Sequence, residues 1–152
     1  MEYTEGTVTK EKQVSIHPYE YEQASNGYLM AIVAVIVGVP LPIVNVLASL
    51  IYYLSNLKSS YFIKWHSLQA VLAQLIIVPF NSIAWGWTFA IMWQDSKVSV
   101  FFVIYIFFVL ILNIAEFIAV IATSSKVRNG ENVRWAVVAN ITDALCKPNN
   151  KN

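Results

Sequence analysis

The sequence predicts an all-α fold: an integral membrane three-helix bundle followed by a C-terminal amphipathic helix that is interfacial or re-entrant. Three observations carry this. Hydrophobic residues make up 57% of the 152 and charged residues 12%, against roughly 25% charged in soluble globular chains. Almost none of the charges lies within three long apolar stretches. Each stretch exceeds the roughly 20 residues that a helix needs to cross hydrocarbon. A mean hydropathy of +0.56 agrees.

Residues 1–27 are polar and somewhat acidic, with Glu2, Glu5, Glu11, Glu20 and Glu22 against Lys10 and Lys12. They lack the basic start and short apolar core of a signal peptide, so they read as a flexible polar tail. The first span is expected over Tyr28 to Leu54. It contains Gly38, Pro40 and Pro42, and each proline removes a backbone donor and crowds the preceding turn. A kink is therefore expected near Ile36 to Gly38. The second span is expected over His66 to Trp93, ending in Trp85, Trp87 and Trp93 as an interfacial aromatic belt. After a turn over Gln94 to Lys97, the third is expected over Val98 to Ala122. Val133 to Cys146 is apolar-rich but too short to span. At about 100° per residue its Val133, Val137, Val138, Ile141 and Leu145 share one side, opposite Asn140 and Asp143. Residues 147–152 read as a polar tail.

Positive residues set orientation. Lys10, Lys12 and Lys97 would lie on one side, and Lys58, Lys64, Lys126, Arg128, Arg134, Lys147 and Lys151 on the other. Three against seven predicts a multi-pass protein of the cell inner membrane, with the N-terminus outside and the C-terminus cytoplasmic.

Polar groups in hydrocarbon are costly, so each needs a partner or a task. Measured from the cytoplasmic edges of the three spans, Asn45, Gln74, Asn113 and Glu116 lie six to nine residues deep. That is one layer about 9 to 13 Å below the edge. On the second span His66, Gln69, Gln74 and Asn81 form one polar stripe, facing the bundle or a partner. Glu116 reads as a proton site or counter-ion, or as an acid bonded to Asn113 or Gln74. His66, beside Lys64 and Trp65, reads as a proton switch or as a residue that stitches helices together. A lone histidine without other ligands at metal spacing makes no metal site. No phosphate loop, zinc motif, nucleophile elbow or paired catalytic carboxylates occur. The sequence thus predicts no enzyme and no cofactor, and a net charge of +1 gives no basic field for nucleic acid.

The run Tyr61-Phe62-Ile63-Lys64-Trp65-His66-Ser67-Leu68-Gln69-Ala70 resembles a signature of bacterial relatives of the twenty-kilodalton Tic component of the chloroplast import machinery. Phe62, Lys64, Trp65, His66, Gln69 and Ala70 match its aromatic, basic, aromatic, His and Gln-Ala roles. Asn129, Gly130, Glu131 and Arg134 resemble the polar segment after that family's last full span. The resemblance implies a helical membrane architecture, a cytoplasm-facing basic signature and a link to protein translocation or insertion.

The function expected is that of a non-enzymatic subunit or accessory factor of an inner-membrane complex. The alternative is a homo-oligomeric channel or small transporter. The partners expected are the lipid bilayer and either a larger membrane protein or a second copy. Lys64, Trp65, His66, Gln69, Gln74, Asn81, Asn113 and Glu116 are the candidate contacts.

Overall fold

A computed structural model describes residues 16–36, 42–94 and 97–146, and these are all-helical with no strand among them. Five helices follow in order: α1 (Pro18–Ile36), α2 (Pro42–Ser55), α3 (Tyr61–Trp93), α4 (Val100–Arg128) and α5 (Ala136–Leu145). The expected tail over residues 147–152, the chain before residue 16 and, beyond Ile36, the kink expected near Ile36 to Gly38 lie outside the described residues. So do Asp95 and Ser96 of the expected turn.

The largest departure from the sequence reading concerns the first span. The stretch over Tyr28 to Leu54 is not one crossing helix. It is the second half of α1 and nearly all of α2, which pack antiparallel as a hairpin. The Tyr52 hydroxyl, near the end of α2, donates to the Gln23 carbonyl, near the start of α1, at 2.6 Å. Gly27 lies against Tyr52 as well as Ser67. Pro42 stands at the first position of α2, where its missing N–H forfeits no helical bond.

The second correction concerns the tail, since α1 begins at Pro18. Tyr21, Ala24, Ser25, Tyr28, Ala31 and Ile32 recur at helical spacing. Ala24, Tyr28, Ala31 and Ile32 form one core with Ala70 of α3 and Val120 and Val127 of α4. Glu20, Glu22, Gln23 and Asn26, interleaved with them, give this helix the composition of a loop. Where a Cβ on Gly27 would sit, the Ser67 Cα is 3.3 Å away, so glycine lets α1 and α3 approach closely.

The two long helices, α3 and α4, are long and apolar enough to cross a membrane, yet only 11% of the most apolar window of each is buried. A core helix of a soluble protein would hide that surface. Instead α4 exposes Phe101, Ile104, Phe107, Ile111, Ile114 and Ile118, and α3 exposes Leu75, Ile76 and Ile83. An uncovered apolar surface of this extent is foreign to a soluble monomer. Along α3, Trp65 and Trp87 stand 22 residues apart, about 33 Å at 1.5 Å per residue, close to the hydrocarbon thickness of roughly 30 Å.

Helix ends follow local chemistry. The Ser99 hydroxyl accepts from the Phe102 N–H at 3.2 Å and caps α4. At the other end of α4, Gly130 takes φ +91°. The Gly130 N–H reaches the Val127 carbonyl and the Glu131 N–H reaches the Lys126 carbonyl, each at 3.0 Å. This is a Schellman ending that requires a left-handed residue.

The hairpin changes the topology. Glu22 meets Arg128 at 3.5 Å, and Tyr21 packs on Phe62 at 5.3 Å between ring centroids. The starts of α1 and α3, the ends of α2 and α4, and all of α5 therefore gather at one end of the molecule. The described chain thus begins and ends at the same end of the molecule.

Candidate functional site

The candidate residues of α3 fall into two groups, a polar cap near the gathered ends and a polar seam deeper between α3 and α4. The cap is built on His66 and Gln69, both fully buried, as is Tyr28. The Trp135 backbone N–H donates to Gln69 Oε1 at 3.2 Å, which fixes which way the amide points. Gln69 Nε2 then donates to the Val133 carbonyl at 3.1 Å and to the Tyr28 hydroxyl at 2.6 Å. The Tyr28 O–H has no other acceptor among the described residues, so its proton is assigned to the bond with His66 Nδ1, at 3.0 Å. The neutral His66 ring therefore carries its proton on Nε2, an atom with no partner among the described residues. Phe62 and Trp65 enclose the ring edge-on, with centroids at 4.5 and 4.9 Å.

A second branch of the cap holds α5. The Trp65 indole N–H donates to Asp143 Oδ1 at 2.7 Å. Arg134 pairs with Asp143 and lies 4.9 Å from the centroid of Trp65. The Trp65 N–H first, and Arg134 after it, hold the Asp143 carboxyl below its ordinary pKa. Cys146 closes the end of α5 against Trp65, Leu68 and Ala139. Burial raises its thiol pKa, with the charge of Lys64 acting in the opposite direction. Lys64 itself is half-buried on the same turn. The Trp135 indole reaches Thr123 Oγ1 of α4 at 2.9 Å.

The seam is simpler. Gln74 donates to Glu116. Asn81 and Asn113 exchange amide bonds at 3.0 and 2.8 Å. Tyr105 donates to the Phe80 carbonyl at 3.0 Å, next to Pro79, which interrupts the bonding within α3. These side chains join α3 to α4. Asn45, assigned to the same layer by depth, is not in that network, and its Oδ1 has no partner among the described residues.

Sequence reasoning missed Tyr28, Thr123, Trp135 and the Arg134–Asp143 pair. Tyr28 was detectable, because it continues a helical pattern that begins at Tyr21. The others depend on where the connector after α4 lands. At the outer end of the cap, an open cleft of about 500 Å³ is lined by His17, Glu20, Gln23, Ser59, Ser60 and Ile63. There the Ser60 hydroxyl, followed by the His17 N–H, lowers the Glu20 carboxyl pKa. Among the described residues no group of three or more His, Cys, Asp or Glu is placed to hold a metal ion.

Residues 24–142 match the magnetosome magnetite crystal formation protein family, MamF/MmsF. The chain belongs to this family. The match runs from the middle of α1 to α5, and so takes in both the cap and the seam. It overturns the resemblance to relatives of the Tic component, and with it the link to protein translocation. The run from Tyr61 to Ala70 has a physical reason of its own in this MamF/MmsF protein. It forms the first turns of the long helix α3 and supplies the buried centre of the cap. No curated protein and no solved structure matches the chain.

Proposed function

We propose that this chain is a membrane-embedded, non-enzymatic accessory factor of magnetite crystal formation, acting from the magnetosome membrane within a larger assembly. The observation that carries the reading is the family match over residues 24–142. Two helices of spanning length with lipid-like exposed surfaces support it. In this reading the cap faces the cytoplasm. Lys58, Lys64, Lys126, Arg128 and Arg134 gather at its end, whereas Lys97 lies at the other, and positive residues favour the cytoplasmic side. Both ends of the described chain then face the cytoplasm.

A channel or small transporter would need polar side chains turned towards an open path. Gln74, Asn81, Asn113 and Glu116 are instead bonded to one another between α3 and α4, which favours the accessory reading.

The test is removal of the gene from a magnetite-forming host, followed by electron microscopy of the crystals. The expected result is crystals of altered size or shape, restored by the intact gene. Unchanged crystals in the deletion strain would contradict the proposal.

A further inference from the structure

Helix α5 has two apolar faces, and α3 covers only one of them. Val138, Ala139, Thr142 and Cys146 are buried. Val137, Ile141 and Leu145 form a second ladder, exposed at 69%, 43% and 64%. Asn140 and Asp143 occupy the remaining arc. At about 100° per residue these are three separate sectors, roughly 100°, 80° and 60° wide in that order. A helix at a water-exposed protein surface would place polar residues on both uncovered sectors. Here the middle sector is as apolar as the neighbouring faces of α3 and α4.

The position of α5 indicates what covers that ladder. It packs on α3 at the level of Trp65, Leu68 and Leu72. Leu75 and Ile76, in the next turn of α3, are 46% and 47% exposed. The ladder therefore continues the uncovered apolar belt of α3 towards the cap. Two cations flank it. Arg134 precedes α5 and is half-exposed while paired with Asp143, and Lys64 has no ion pair among the described residues. Long basic side chains at such a boundary keep their stems on apolar surface and their charges in the headgroups.

We propose that α5 lies in the bilayer surface, with Val137, Ile141 and Leu145 among acyl chains and Lys64 and Arg134 at the headgroups of anionic phospholipid. This rests on the reading that α3 and α4 span a membrane. The experiment therefore includes a position that reports on the span alone. Nitroxide labels are placed one at a time on the full chain carrying Cys146→Ser, at Val137→Cys, Ile141→Cys, Asn140→Cys and Ile111→Cys. Each variant is reconstituted in vesicles of phosphatidylcholine alone, or with one third phosphatidylglycerol.

Collision with oxygen, which concentrates in lipid, is compared with collision with a water-soluble nickel chelate. The expected oxygen-to-nickel ratio at 137 and 141 is several-fold higher than at 140 and approaches that at 111. With phosphatidylglycerol, the ratio at 137 rises further, and Lys64→Gln removes that rise. Nickel access at 137 and 141, or exclusion of both reagents by a protein partner, would overturn the proposal while 111 stays oxygen-accessible. Nickel access at 111 would overturn the spanning reading itself. Equal ratios in the two lipid mixtures would overturn the assignment of anionic headgroups.

Discussion

The cap and the seam use similar side chains for different tasks. In the seam each polar group meets another on the facing helix, so the bonds join two elements already adjacent in the chain. In the cap, Gln69 alone joins α1 through Tyr28 and the connector to α5 through Val133 and Trp135. These segments are distant in sequence. The comparison teaches that a single amide serving backbone groups organises more of the fold than two side-chain pairs. Side-chain pairs between membrane helices average about 0.6 kcal/mol. A buried backbone group left without a partner costs about 1–3 kcal/mol.

The largest expected effect follows from this. Gln69→Ala leaves the Trp135 N–H and the Val133 carbonyl without their partner and takes a donor from Tyr28. A loss of about 3 kcal/mol is expected, read as a lower unfolding midpoint in mild detergent, together with faster reaction of the Cys146 thiol as α5 loosens. An unchanged thiol rate would remove the cap's claim to hold α5.

Next comes Gly130→Ala, which forces a side chain into the left-handed conformation that ends α4. About 1–2 kcal/mol is expected, again in the unfolding midpoint. A neutral result would mean that the connector can leave α4 by another path.

Smaller still is the seam. Asn81→Leu, Asn113→Leu and the double variant form a thermodynamic cycle, with an expected coupling of about 0.6 kcal/mol. A coupling above about 2 kcal/mol would place the seam on a level with the cap.

The smallest effect is acid sensitivity at Asp143. Its pKa is lowered in the fold, so the unfolded chain binds its proton more readily. The contribution is fully present above the ordinary carboxylate value of about 4 and is lost as the pH falls through the lower, folded value. Docking of α5, followed by Cys146 reactivity normalised to the unfolded chain, should stay constant near neutrality and weaken only below about pH 4. Asp143→Asn should abolish that acid dependence.

Part of this arrangement was legible in the sequence. Apolar length alone marks α3 and α4, and counting residues inward from their ends brings Gln74 near Glu116, although Asn113, assigned to the same layer, bonds with Asn81 instead. The hairpin was not legible in this way. A continuous apolar run from Tyr28 to Leu54 has the length of a span whether it crosses or turns back, and hydropathy carries no sign of direction. The start of α1 was hidden for the opposite reason, because its buried face consists of Tyr, Ala and Ser between acidic residues. The cap was half-visible. His66 and Gln69 stand out as polar residues in an apolar helix, but their partners lie some 40 and 65 positions away. Only the return of the chain after Gly130 brings Val133 and Trp135 back to them. The run from Tyr61 to Ala70 lies inside the residues that match the family, but an aromatic–basic–aromatic entry into a helix suits any bilayer interface and did not by itself single out one small membrane family.

The central structural claim is that the first apolar run turns back, so that α1 begins beside the end of α4. The most direct measurement is cross-linking of Glu22→Cys with Arg128→Cys by a short bifunctional thiol reagent in native membranes, on the chain carrying Cys146→Ser. The Glu22 and Arg128 side chains meet tip to tip at 3.5 Å, a separation that two cysteines bridge through such a reagent and not through a direct disulfide, so the account predicts rapid, intramolecular cross-linking. Absence of that cross-link, while an Asn81→Cys/Asn113→Cys pair in the same background still forms one, would contradict the hairpin and restore a first helix that crosses the membrane.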